Sequence, residues 1–109
     1  NYTAAPVYAK DGKRGRHQWL IEWGTAPADI SEFAKMLDEE LRSLNSDYDA
    51  KRMNTIFLDP LEISEVPQGV FDRWLQSVGN GKLGGQRKVP RLSNDRRIAD
   101  AVEEIIGNI

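Results

Sequence analysis

The chain has no cysteine and a single histidine, His17. The first absence excludes a disulfide framework, a thiolate nucleophile and any cysteine-ligated zinc or iron–sulfur centre. The second excludes a multi-histidine metal site. No apolar run approaches the ~20 residues that a membrane-crossing helix needs, and there is neither an internal repeat nor a low-complexity tract. Neither sign of charge dominates: 15 Lys and Arg against 17 Asp and Glu give a net charge of -2, so a whole-domain basic footprint of the kind used on nucleic acid is missing. What is present is an ordinary globular balance, 39% hydrophobic and 29% charged over 109 residues. Such a chain forms one domain that buries roughly two thirds of its unfolded surface. Residues 1–109 therefore read as a single domain. Its first residues, Asn1-Tyr2-Thr3, carry neither a charged leader nor an initiator Met, and the chain reads as a fragment of something longer.

Three blocks follow one another along the sequence. Tyr2 to Ala9 is rich in strand-forming residues, and the charged, glycine-bearing stretch Lys10 to Arg16 suits a hairpin loop. His17 to Trp23 then alternates, with Trp19, Ile21 and Trp23 on one face and Gln18 and Glu22 on the other, as in a half-buried strand. Ile30, Phe33, Ala34, Leu37, Leu41 and Leu44 line one stripe of a helix. Asp29 with Glu32 marks the start of that helix, and Asp38 with Arg42 forms an i,i+4 pair. Asp38, Glu39 and Glu40 read as its solvated face. Asp47 with Lys51 supports a further turn through Arg52. Thr55 to Ile63 reads as a strand broken by Pro60. After the turn Pro67-Gln68-Gly69, Val70, Phe71, Trp74, Leu75 and Val78 have helical spacing, with Gly79 just beyond the end. A last helix carries Ile98, Ala101, Val102, Ile105 and Ile106, capped by Ser93 or Asn94. The fold class is α+β, a small sheet of three or four strands packed with helices. Trp19, Trp23 and Trp74 are assigned to the core, and His17 to a structural role.

Charge is unevenly placed. From Asn80 to Arg97 there are six basic residues, Lys82, Arg87, Lys88, Arg91, Arg96 and Arg97, and one acid, Asp95, so the segment carries +5 while the remainder carries -7. A glycine-bearing basic loop on an acidic domain suits contact with an anion. Internal salt bridges to its own domain are the plainer use of the same charges. Gly79 to Gly84 fits G-x-G-x-x-G in letters, but a helix precedes it and an irregular loop follows, the reverse of what a dinucleotide fingerprint requires. Nor does Gly81-Lys82-Leu83 make a P-loop.

The segment Gly81 to Arg96 resembles the C-terminal end of the auxin-responsive acyl-acid amido synthetases, the indoleacetate- and jasmonate-conjugating family. Gln86, Lys88, Pro90 and Arg91 fit a Gln-aromatic-Lys-x-Pro-Arg pattern, and Arg87 replaces the aromatic, which favours a bacterial-type branch. Gly15 to Trp23 and Leu37 to Arg52 are similar to the family as well. The resemblance implies the C-terminal cap domain of an adenylate-forming ligase that uses ATP to activate an acyl acid and joins it to an amine or amino acid. On that reading the N-terminal domain, absent here, binds most of the ATP with its Mg, and this domain is cytoplasmic and inactive alone. Lys88 is the expected active-site cation, with Lys82 its competitor, and Arg91, Lys82 and Gln86 are the expected nucleotide or phosphate contacts. No metal ligands, nucleic acid or membrane are expected. The alternatives are a stand-alone binding module that offers loop 80–97 to nucleic acid or an acidic protein, and a dimerisation domain.

Overall fold

The structure, a computed structural model, describes residues 1–10, 12–53, 58–79 and 89–108. Its elements run β1 (Tyr2–Val7), β2 (Arg16–Ile21), α1 (Ile30–Leu44), α2 (Ser46–Arg52), β3 (Glu62–Glu65), α3 (Val70–Gly79) and α4 (Arg97–Gly107). The sheet order is β1-β2-β3, with β1 antiparallel and β3 parallel to β2. This is the α+β class read from the sequence.

The β1–β2 hairpin closes where Lys10 and Lys13 exchange both backbone hydrogen bonds around Gly12, whose φ of 78° suits glycine. Gly15 is needed for a different reason: a Cβ there would sit 2.8 Å from the Val7 carbonyl oxygen. The strand expected over Thr55 to Ile63 is instead β3, Glu62–Glu65, preceded by a single parallel bridge between Leu58 and Gly15. Residues 54–57 lie outside the described set. Pro60 lacks an N–H, so the ladder breaks there and resumes two residues on.

Both faces of the sheet carry helices. Leu20, Ala5, Val66, Val70, Phe71, Trp74, Val89, Ala99 and Val102 form one buried cluster between the sheet and the α3–α4 layer. Leu20 and Phe71 are fully buried. Trp23 on the other face meets Phe33 of α1 edge-on at 5.3 Å. The alternation in β2 is therefore real, but Gln18 and Leu20 are the buried residues while Trp19, Ile21 and Trp23 are half-buried. Of the three tryptophans assigned to the core, Trp74 is buried there. Gln18 tolerates burial because it is hydrogen-bonded: its amide donates to Ser64 Oγ and Glu103, and its Oε1 accepts from Arg96. Glu22, on the same face, accepts from the backbone N–H groups of Gly69 and Phe71 at the start of α3, where a negative charge complements the helix terminus.

Helix α1 starts as expected, with Asp29 Oδ1 accepting from the Glu32 N–H at 3.0 Å. Asn45 ends it and begins α2: its N–H donates to Leu41 and its side chain accepts from the Tyr48 N–H. Lys51 meets Asp47 at 3.5 Å. The expected Asp38–Arg42 pair is replaced by Arg42 with Asp49 and Arg52 with Asp38. Asp38 is 5% exposed, so it is not part of a solvated face. Leu44, at the end of the expected stripe, is 76% exposed. Helix α3 runs through Gly79. Helix α4 begins at Arg97, where the Asp95 carboxylate accepts from the Arg97 N–H; its N-cap residue is Arg96, without a side-chain cap hydrogen bond, and not the expected Ser93 or Asn94.

Phe71→Ala is expected to destabilise the domain by about 3–5 kcal/mol, since it opens a cavity in a filled core. Leu44→Ala, at an exposed site, should stay within about 0.5 kcal/mol of the parent. Denaturant unfolding followed by tryptophan fluorescence measures both.

Candidate functional site

The basic segment reaches the described structure at Val89 and is then fastened to the free edge of β1. Thr3 Oγ1 donates to the Pro90 carbonyl at 2.7 Å. The Ala4 N–H donates to the Arg91 carbonyl at 2.9 Å, and the Ser93 N–H donates to the Ala4 carbonyl at 3.0 Å. Ala4 and Leu92 thereby form a parallel bridge. Thr3 is fully buried, so its hydroxyl needs this partner. Further along, Tyr8 donates to the Asn94 carbonyl at 3.3 Å. A groove of about 310 Å³ lies beside this join, lined by Ala4, Pro6, His17, Tyr8, Leu92 and Ser93 among others.

The cations of the segment have separate fates. Arg96 is structural. Its guanidinium donates to the Pro6 carbonyl, Gln18 Oε1, Glu103 and Asp100, all between 2.9 and 3.0 Å. Arg97 pairs with Asp95 at 3.3 Å and is 89% exposed. The Asp95 carboxyl is held below its usual range, chiefly by the Arg97 backbone N–H. Arg91 differs from both: its guanidinium carbon lies over the Tyr2 ring, 5.3 Å from the centroid. Among the described residues no carboxylate lies within ion-pair distance of it. Lys82, Gln86 and Lys88 lie outside the described residues, as does Arg87. Of the expected site residues, Arg91 alone can be placed, and it sits on a surface built by β1 and β2.

The sequence model of the GH3 family C-terminal domain matches residues 1–97. The chain belongs to the GH3 family, as its C-terminal domain. A solved structure similar to this GH3 domain is described as the AtGH3.15 acyl acid amido synthetase in complex with 2,4-DB. The superposition covers 95% of this chain with a TM-score of 0.68 at 19% sequence identity, a likeness of fold. The chain spans 19% of the length of that protein. No curated protein matches the chain by sequence.

A second cluster in the GH3 domain gathers around Asp38, which the sequence reading placed on a solvated face with Glu39 and Glu40; those two are exposed and Asp38 is buried. Arg52 grips Asp38 with its Nε and Nη2, the shortest contact being 2.5 Å, and the Tyr48 hydroxyl donates to the same carboxylate. Burial would raise the Asp38 carboxyl, but the hydrogen bonds from Arg52 and Tyr48, the Arg52 charge and the Leu61 backbone N–H outweigh it and hold it low. Tyr48 is pushed up by burial and by the Asp38 carboxylate. The Asp38 hydrogen bond raises Arg52. The Tyr48 ring packs against His17 of β2 at 5.1 Å, which fits the structural role read for His17. Burial, helped by the Lys51 charge, lowers its pKa against the opposing pull of Asp38. The one signal in sequence was Arg52 itself, a cation at the end of a short helix opposite an acid; periodicity cannot pair residues across a helix–helix turn.

Arg96→Ala is expected to lower stability by about 2 kcal/mol, the scale for hydrogen bonds made by a charged group, whereas Arg97→Ala should change it by less than about 0.5 kcal/mol. Urea titrations of the two variants separate these outcomes. His17 has a lowered folded-state pKa, so the unfolded chain takes up its proton first. Its contribution is intact above the unfolded value of about 6.5 and is lost as pH falls below it. Stability should therefore drop between pH 7.5 and 5.5, and His17→Gln should flatten that part of the profile.

Proposed function

We propose that this GH3 domain is the C-terminal cap of an ATP-dependent acyl-acid amido synthetase, which activates an acyl acid by adenylation and joins it to an amine or amino acid. The observation that carries the reading is the family match over residues 1–97, joined to a basic segment whose residues 90–93 are hydrogen-bonded to β1. A larger N-terminal domain of the same enzyme is the partner. Tyr8 and Leu92, both exposed and both lining the groove beside β1, offer apolar surface to such a partner. No described helix is long and apolar enough to cross a membrane, and we assign the enzyme to the cytoplasm.

ATP is the co-substrate: the acyl carboxylate attacks its α-phosphorus, the adenylyl group passes to the carboxylate and pyrophosphate leaves, with the nucleotide and its Mg held mainly by the other domain. The residues here suit a share in that task. Arg91 offers a guanidinium with no described carboxylate against it, and a guanidinium matches two phosphate oxygens at once. Lys88 is the active-site cation: an ammonium is a compact charge, suited to the negative charge that gathers between attacking carboxylate and phosphoryl group in the transition state. Pro90, two residues on, is anchored through its carbonyl to Thr3, so the chain beyond Lys88 is tied to β1. Gln86 and Lys82 complete the phosphate contacts, and the domain alone has no activity.

In the full-length enzyme, Lys88→Ala should slow adenylation, read as pyrophosphate exchange, by about 10²–10³, the cost of losing one preorganised electrostatic donor. Lys82→Ala measured beside it should have a much smaller effect. An exchange rate that survives Lys88→Ala and collapses in Lys82→Ala transfers the role to Lys82.

A further inference from the structure

We infer that Tyr2 is a positioning residue for Arg91, setting its guanidinium in place for a phosphoryl group of the nucleotide; this rests on the reading of Arg91 as a phosphate contact. Tyr2 is the first residue of β1 and pairs with Ile21, which puts it diagonally beside Trp19 on the same face of the sheet. The Tyr2 and Trp19 rings are stacked, with centroids 5.5 Å apart and planes 18° from parallel. Arg91 lies on the Tyr2 ring at 5.3 Å, inside the ~6 Å over which a cation is attracted by an aromatic face. The three groups thus belong to one assembly: Trp19 from β2, Tyr2 from β1, and Arg91 from the segment beside β1.

What makes the assembly more than surface packing is that its backbone is fixed at the same place. Thr3 holds the Pro90 carbonyl, and Ala4 holds the Arg91 carbonyl and the Ser93 N–H. Residues 2–4 of one strand therefore fasten residues 90–93 by main chain and restrain Arg91 by side chain. An exposed arginine ordinarily samples many rotamers, and freezing them when an anion binds weakens that binding. A guanidinium held over an aromatic ring has lost much of that freedom beforehand. The ring contact also leaves the guanidinium without a carboxylate acceptor among the described residues, so its planar fork of N–H groups remains suited to two oxygens of a phosphate. Lysine would satisfy the charge without this geometry.

The test uses the full-length enzyme, with the KM for ATP and the kcat of pyrophosphate exchange measured separately. Tyr2→Leu should raise the KM for ATP roughly three- to tenfold while leaving kcat near the parent value, since a weakened cation–π contact alters binding held in common by ground and transition states. Tyr2→Phe keeps the ring face and should behave as the parent. Tyr2→Met still covers Trp19 without offering a ring, and it carries the same expectation as Tyr2→Leu should that variant not fold. In an Arg91→Ala background, Tyr2→Leu should add no further change. A Tyr2→Leu or Tyr2→Met effect that persists in that background overturns the inference, and so does a Tyr2→Phe variant as impaired as Tyr2→Leu. Arg91→Ala separates the two levels: an unchanged KM removes Arg91 from the phosphate site and this inference with it, whereas a raised KM beside silent Tyr2 variants removes the inference alone.

Discussion

The domain turns on the double use of Ala4. In register with Trp19 across the β1–β2 hairpin, it also spends its own N–H and carbonyl on Arg91 and Ser93. A strand with one partner at an edge has a row of unmet hydrogen-bonding groups. Here residues 90–93 meet part of that row, and the sequence-distant basic segment acquires a fixed end. The neighbouring contacts reinforce the same join: Thr3 to Pro90, Tyr8 to Asn94 and Arg96 to Pro6.

The opposite face of the sheet is secured by charge. Asp38, Arg52 and Tyr48 bind α1 to α2, and Tyr48 against His17 binds that pair to β2. The Pro60 break takes part, because the chain resumes at Leu61 and gives its N–H to Asp38. Such a buried pair contributes modestly to net stability, but losing one member leaves an uncompensated charge at a cost of about 3–5 kcal/mol. Its effect is to make one arrangement of the two helices far better than its neighbours. The α3–α4 side has the apolar cluster around Leu20 and Phe71 instead, so the two faces of one small sheet are held by different physics.

Much of the fold was legible because its signals are local. The 3.6-residue spacing of Ile30 to Leu41, the Asp29 cap, the Pro67–Gly69 turn and the alternation of β2 each arise within a few residues of chain. The same locality explains what was misread. Alternation shows that a strand has two unlike faces; it does not show that a second helical layer covers the polar-looking one, where Gln18 and Glu22 are satisfied by α4 and α3. Leu44 has helical spacing but lies past the reach of the sheet, and Asp38 looks solvated until Arg52 is brought against it. The excess of charge in 80–97 was visible by counting, whereas its division was not. Arg96 is consumed by four acceptors and Arg91 is laid on an aromatic ring, a difference made by what each meets across the fold.

Sequence by itself determined the α+β class, the basic segment and the family resemblance, since each follows from composition, short-range periodicity or residue order. The tertiary structure decided which face of β2 is core, which acid is buried and which arginine lies over an aromatic ring instead of against a carboxylate. Those outcomes depend on pairs such as Ala4 with Arg91 and Asp38 with Arg52, whose members are separated in the chain and brought together only when backbone hydrogen bonds and buried charges must all find partners at once.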